Sequence, residues 1–202
     1  MPADGDDLIG WWSPPLRGVL DFAELKVSKS LRRSCRRYEV TANAAFEQVI
    51  ENCAALPRDG GWISPAIAGA YRELHRLGWA HSVESWLDGE LVGGLYGVQI
   101  GGLFAGESMF QRATDASKVA LVALVSGLEA CGATLLDVQW ATDHLATLGV
   151  RELTRSDYLD RLSLAVQCEA SSLADLSGTN SLGKSGQYLD RIRWTPTGTM
   201  SP

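Results

Sequence analysis

Histidine and cysteine are scarce in this chain, and neither is spaced for chemistry of its own. The four cysteines, Cys35, Cys53, Cys131 and Cys168, stand far apart and form no Cys-x-x-Cys pair. The three histidines, His75, His81 and His144, show no i,i+4 spacing. No metal site, no cofactor and no disulfide framework is therefore expected, and reduced thiols are the default. Apolar runs of membrane-spanning length are also missing, which argues against a membrane partner. The first ten residues are acidic, where a signal peptide would begin basic, so a cytoplasmic location is expected.

Positive charge is in short supply overall: 18 Lys and Arg against 24 Asp and Glu give a net charge of −6. That balance argues against a generic nucleic-acid binder, but the average hides an asymmetry. Lys26, Lys29, Arg32, Arg33, Arg36 and Arg37 lie within twelve residues that contain no acid. Ser28 is placed to cap a helix there, and Lys29, Arg32, Arg33, Arg36 and Arg37 then share one face. A solvated face is one explanation of such a stripe. Like charges at i,i+4 repel, however, and five without acidic relief point to a polyanionic partner.

With 202 residues, 46% of them hydrophobic, the chain can bury a substantial core. Residues 1–10 are expected to be disordered, 11–171 to form one domain, and the Ser/Gly-rich residues 172–202 to form a mobile tail. Leu91 to Phe110 reads as two strands turning at Gly101-Gly102, a pair suited to a tight hairpin. Gly93, Gly94 and Gly97 interrupt the first strand, as at a bulge or a close approach of a ligand or another backbone. Ala80–Leu87 precedes it through an Asp88-Gly89 turn, which makes a three-strand antiparallel meander. Helices are expected from about Ala44 to Ala55, after Ser64-Pro65, from Ala116 to Cys131 behind an Asp115 cap, from Thr142 to Leu148 and from Ser156. Short strands are expected at Val19–Phe22, Tyr38–Thr41, Thr134–Val138 and Arg151–Thr154. The fold class is α+β, a mixed and mostly antiparallel sheet flanked by helices.

Leu91–Tyr96 followed by Gly106–Phe110 and Ala116-Ser117-Lys118 resembles the leucyl/phenylalanyl-tRNA–protein transferase family. Further signatures in family order are Trp11-Trp12-Ser13-Pro14 with Arg17, Trp62-Ile63, Ala70-Tyr71 with Leu74-His75, and Ala80 to Glu84 with Trp86. Leu136-Asp137-Val138-Gln139, His144-Leu145 and Leu148-Gly149 complete the set. Family members carry an additional N-terminal domain ahead of the Trp-Trp motif. The chain begins ten residues before that motif and is expected to be a truncated member. The resemblance implies a GNAT-like acyltransferase fold, with a bulged central strand splaying the sheet at the acyl site. It also implies a reaction in which Leu, Phe or Met moves from aminoacyl-tRNA to the N-terminal amine of an acceptor protein bearing Arg or Lys, marking an N-degron. The coenzyme A loop of such folds is incomplete: Arg58-Asp59-Gly60-Gly61 begins it, but Ile63 occupies its last position.

By the same resemblance Asp137, Gln139 and Glu107 are the catalytic residues. Asp137 would hold and polarise the attacking amine, directly or through Gln139, Gln139 would orient ester or amine, and Glu107 would fix the bonding network. Asp137 and Gln139 alternate on one strand and so are expected on one face; an isolated acid at a strand end equally suits a cap or turn. Leu95, Tyr96, Leu103 and Met109 are the expected aminoacyl pocket. Trp62 is expected to stack on the terminal adenine, although a loop anchor is an equal reading of the residue itself. The basic helix would face tRNA. A Ser108/His81/Asp137 triad has no supporting elbow motif. Gly178 to Ser185 spells a phosphate-binding loop but lacks the strand before it and the sheet behind it. Two alternatives stay open: a ligase acylating a small-molecule amine from aminoacyl-tRNA, and a non-catalytic tRNA-binding protein.

Overall fold

The computed structural model describes residues 13–56, 62–178 and 193–194. Eight strands form one sheet: β1 (Leu16–Leu20), β2 (Glu39–Ala42), β3 (Ala80–Leu87), β4 (Glu90–Ile100), β5 (Leu103–Gln111), β6 (Leu135–Gln139), β7 (Arg151–Thr154) and β8 (Arg193–Trp194). Their spatial order is β7-β1-β6-β5-β4-β3-β2-β8, with only the β5–β6 and β2–β8 pairs parallel. The helices are α1 (Lys29–Cys35), α2 (Phe46–Ala54), α3 (Pro65–Arg76), α4 (Ala116–Cys131), α5 (Asp143–Ala146) and α6 (Arg155–Ala165). The α+β class and the meander of β3, β4 and β5 are as expected. The meander turns at Asp88-Gly89 and at Gly101, all with positive φ.

Side-chain alternation divides the core between the two faces of the sheet. Leu20, Leu95, Phe104 and Leu136 face α4, whose residues are buried almost all round. The sheet covers one side of α4, while α1 and the 173–178 segment pack on it from elsewhere, so its sequence lacks a polar stripe. Tyr96, Trp86 and Phe110 face α2 and α3, while Val19, Leu103 and Leu135 face α6. Of the interior glycines, Gly93 lets the start of α4 approach: a Cβ there would lie 2.5 Å from the Cβ of Ala116. A Cβ on Gly97 would collide with the Ala105 carbonyl and the Phe104 ring. Both glycines admit close contacts within the protein.

Two irregularities shape the centre. Tyr96 pairs with Ser108 and Gly97 with Gly106, so Glu107 is the extra residue of a bulge in β5. The parallel β5–β6 pairing covers only Leu103↔Leu135, Phe104↔Leu136 and Ala105↔Asp137. Beyond Ala105 the two strands part, and the sheet is splayed beside the bulge.

Three expectations are corrected. Asp115 precedes α4 in a left-handed conformation and makes no capping bond. Its carboxylate accepts instead from Ser34 Oγ at 2.9 Å and Lys118 Nζ at 3.1 Å, which ties α1 to α4. Helix α1 ends at Cys35, because the buried Tyr38, whose hydroxyl donates to Thr114 O at 2.7 Å, draws the chain away. Arg37 therefore lies beyond the helical stripe. Residues 172–178, assigned to a mobile tail, pack on the body: Leu173 is fully buried, and its N–H donates to Gln99 Oε1 at 2.9 Å. The segments 1–10 and 58–61, together with residues 179–185 of the phosphate-loop lookalike, lie outside the described residues.

Candidate functional site

The splay between β5 and β6 gathers polar side chains from five elements, β1, β5, β6, α3 and α6. Asp137, on β6, is 1% exposed. Its carboxylate accepts from Arg17 Nε at 2.9 Å and lies 2.8 Å from Arg17 Nη2, on neighbouring β1. It accepts further from the Tyr158 hydroxyl of α6 at 2.7 Å and from the Gln139 backbone N–H at 2.7 Å. The guanidinium also lies 5.6 Å from the centre of the Tyr158 ring. Burial works against the Arg17 charge, but the hydrogen bond and charge of Asp137 outweigh it and raise its pKa. Burial, then the same carboxylate, pushes the Tyr158 phenol up, so it stays a donor.

Gln139 ends β6 with φ +67, a left-handed conformation uncommon outside glycine. The Asp137 bond to its backbone holds it there. Its Nε2 donates to Gly106 O at 3.0 Å and to Glu107 Oε2 at 3.1 Å, bridging the gap where the strands part. Glu107, displayed by the β5 bulge, also accepts from the Tyr71 hydroxyl of α3. Burial raises the Glu107 pKa above the usual carboxylate value, and the bonds from Tyr71 and Gln139 pull it partly back. Asp137, Gln139 and Glu107 are thus one connected array. Both oxygens of Asp137 already accept hydrogen bonds, and the carboxylate is buried beneath Gln139 and Arg17.

Tyr71 leads into an aromatic series. Its ring meets Tyr96 at 5.1 Å and Trp62 at 6.3 Å, both edge-on. Trp62 is half-buried against this series just ahead of α3. The four residues expected to line one aminoacyl pocket do not come together. Leu95 and Met109 are cross-strand partners on the α4 face, whereas Tyr96 faces α3 and Leu103 faces α6. Adjacent residues of a strand point to opposite faces, and Leu103 lies at the far end of β5. Lys29, Arg32, Arg33 and Arg36 line an open depression on α1. Ser108 and His81 lie apart from Asp137 in any triad sense: His81 is bonded to Asn43 and Ser172.

Arg17, Tyr71 and Tyr158 join this array without being candidates from the sequence. Arg17 and Tyr71 stand inside the family signatures. Tyr158 had no local signal, because only the packing of α6 on β6 brings it to Asp137.

The family model described as leucyl/phenylalanyl-tRNA protein transferase matches residues 19–163, which spans β1 to α6. The chain belongs to the leucyl/phenylalanyl-tRNA–protein transferase family. Three proteins carrying that name illustrate the similarity. The one from Nitrosospira multiformis is 52% identical over 79% of this chain and 70% of its own length. The one from Syntrophobacter fumaroxidans is 55% identical over 76% of this chain and 68% of its own. The one from Herpetosiphon aurantiacus is 49% identical over 84% of this chain and 90% of its own. Among solved structures, a GCN5-related N-acetyltransferase-like protein from Streptococcus suis 89/1591 aligns with a TM-score of 0.37 at 12% identity, over 69% of this chain and 60% of that one. Asp137, Gln139 and Glu107 lie together at the splay, inside the matched residues. No described helix is long and apolar enough to cross a membrane.

Proposed function

We propose that this chain transfers a leucyl or phenylalanyl group from tRNA to the α-amine of an acceptor protein whose N-terminal residue is Arg or Lys. The observation that carries this reading is the Asp137–Gln139–Glu107 array at the splay, in a chain about half identical to proteins named for that reaction.

The amine nitrogen attacks the carbonyl of the ester joining the amino acid to the terminal ribose. The new C–N bond replaces the ester C–O bond, and one proton passes from the nitrogen to the departing ribose oxygen. An ester is already activated relative to an amide, so positioning and electrostatics suffice for most of the acceleration. Gln139 Nε2 is committed to Gly106 and Glu107, which leaves its carbonyl oxygen to accept an amine N–H. Glu107, with its raised pKa, is suited to take the proton and pass it on. Asp137 and Arg17 act as positioning residues, holding Gln139 in its left-handed turn. Leu95 and Met109, on the α4 side of the splay, receive the apolar amino-acid side chain. The half-exposed Trp62 indole stacks on the terminal adenine, and the α1 depression attracts the tRNA phosphates.

The test incubates the protein with a pool of charged tRNAs and separate sets of acceptors, with products read by mass. Addition of Leu or Phe to peptides beginning with Arg or Lys is expected. Acylation of a small amine in place of peptides would move the acceptor to specialised metabolism, and donor binding without transfer would leave only a tRNA-binding protein.

A further inference from the structure

Immediately after Gln139 the chain presents a large indole to solvent. Trp140 is 52% exposed, although its backbone is tightly held. Its N–H donates to Val138 O at 2.8 Å, and its carbonyl accepts from Thr142 N–H at 3.1 Å. The segment also lies against Gly18: a Cβ at that position would come 2.7 Å from the Trp140 carbonyl carbon and 2.9 Å from Ala141 N. Only glycine admits this approach, so the backbone beneath the indole is fixed while the ring is free to meet a ligand.

Gly18 pairs with Gln139 on one side and with Glu152 of β7 on the other. Directly paired residues of antiparallel strands point to the same face. Glu152 therefore projects to the face on which the Trp140–Ala141 backbone crosses Gly18. It is exposed and forms no ion pair with another described residue. Gln139, Gly18 and Glu152 thus succeed one another across two strand spacings, roughly 10 Å, with the Trp140 backbone lying over Gly18 between them. The Arg151 and Arg161 cations nearby are both engaged by Asp21.

Resting on the reading of the reaction given above, we propose that Trp140 and Glu152 form the subsite for the cationic side chain of the acceptor's N-terminal residue. With the α-amine at Gln139 and Glu107, an extended arginine or lysine side chain runs over the indole, and its charged end reaches Glu152. The indole attracts a cation through its ring face, and guanidinium stacks on such a face as well as pairing with carboxylate. An acceptor with an apolar N-terminal residue would gain neither contact.

The experiment measures transfer from leucyl-tRNA to peptides differing only in their first residue: Arg, Lys, or citrulline, which has the shape of Arg without its charge. Trp140→Ala is expected to raise KM for the Arg peptide roughly tenfold while kcat and charged-tRNA affinity stay near wild type. Trp140→Phe should restore part of the loss. Glu152→Gln should narrow the preference for Arg over citrulline, and Glu152→Lys should narrow it further. Because both side chains are exposed, folding is not at stake, and donor affinity reports it independently. Wild-type transfer to Arg peptides combined with unchanged KM and unchanged Arg/citrulline ratio in the variants overturns the subsite and leaves the reaction standing. Loss of donor affinity in Trp140→Ala also overturns it, by placing the indole on the tRNA side. Absence of transfer to any basic N-terminus by the wild-type protein overturns both readings.

Discussion

Replacing Asp137 by Asn keeps the side chain's shape and an acceptor for the Gln139 amide, but removes the charge that balances Arg17. The remaining carboxamide cannot accept from guanidinium, phenol and backbone together, so Gln139 loses the clamp on its left-handed turn. Loss of a comparable electrostatic or positioning contact costs on the order of 10²–10³ in rate. Turnover should fall by that amount while charged-tRNA affinity stays nearly unaltered. The stability cost should be about 3 kcal/mol or less, since Arg17 is 23% exposed and the stranded cation is partly hydrated. The double variant Arg17→Met, Asp137→Asn should lose less stability than the two single losses added, because the pair couples. Normal turnover in Asp137→Asn would sink the assignment. At this scale the resemblance supplied the residues, but not how they are used. Asp137 at a strand end reads equally as a turn acid, and nothing near it in sequence announces Arg17, 120 positions earlier, or Tyr158, 21 later.

Helix α1 carries the electrostatics that an acidic chain otherwise lacks. Ser28 caps it, accepting from Leu31 N–H at 3.1 Å, and Leu31 and Cys35 bury its inner side, which turns Lys29, Arg32, Arg33 and Arg36 outward together. Changing Arg32, Arg33 and Arg36 to Gln should weaken charged-tRNA binding and flatten its salt dependence. Each lost phosphate contact should reduce the slope of log affinity against log salt by about 0.7–0.9. An unchanged slope would make the stripe a solvated face. Where chemistry at an element's end is local, as in the Ser28, Ser64 and Thr142 caps or the Gly101 turn, composition and spacing reveal it. Asp115 has the sequence position of a cap, but its carboxylate serves a contact 81 residues away in place of its own helix end. The four candidate pocket residues divide for a related reason: side chains along one hairpin alternate between the two faces, which separates Leu95 from Tyr96. The interior glycines of β4 point to a bulge in that strand, whereas the extra residue, Glu107, lies on β5 and depends on its register against β4.

The whole molecule is closed by its chain after α6, where composition promised only mobility. Gln99 accepts from Leu173 N–H and donates to Ser171 O at 2.8 Å, while His81 lies 3.4 Å from Ser172 Oγ. Asn43 fixes the state of that imidazole. Its Oδ1 accepts from Ser82 N–H at 3.0 Å, so its Nδ2 must face His81 Nδ1 at 3.1 Å, which makes Nδ1 an acceptor and leaves the proton on Nε2. Burial at 1% exposure, then the nearby His75, lowers the His81 pKa from 6.5 to about 4. The unfolded chain therefore binds a proton between those values that the folded chain refuses, so stability falls as pH falls through that window. The loss attributable to His81 is on the order of 3 kcal/mol. His144, also lowered by burial and then Lys118, adds to the same slope, whereas Glu84, raised by burial, opposes it by losing stability as pH rises. His81→Gln keeps an acceptor for Asn43 and a donor for Ser172 but cannot titrate. Urea midpoints at pH 7 and pH 4.5 should therefore differ less in the variant than in the wild type. Amide-exchange protection at Leu173, corrected for the intrinsic pH dependence of exchange, should also fall more on acidification when His81 is present. Equal midpoint differences in both proteins would show that the closing segment is held without regard to the charge on this ring.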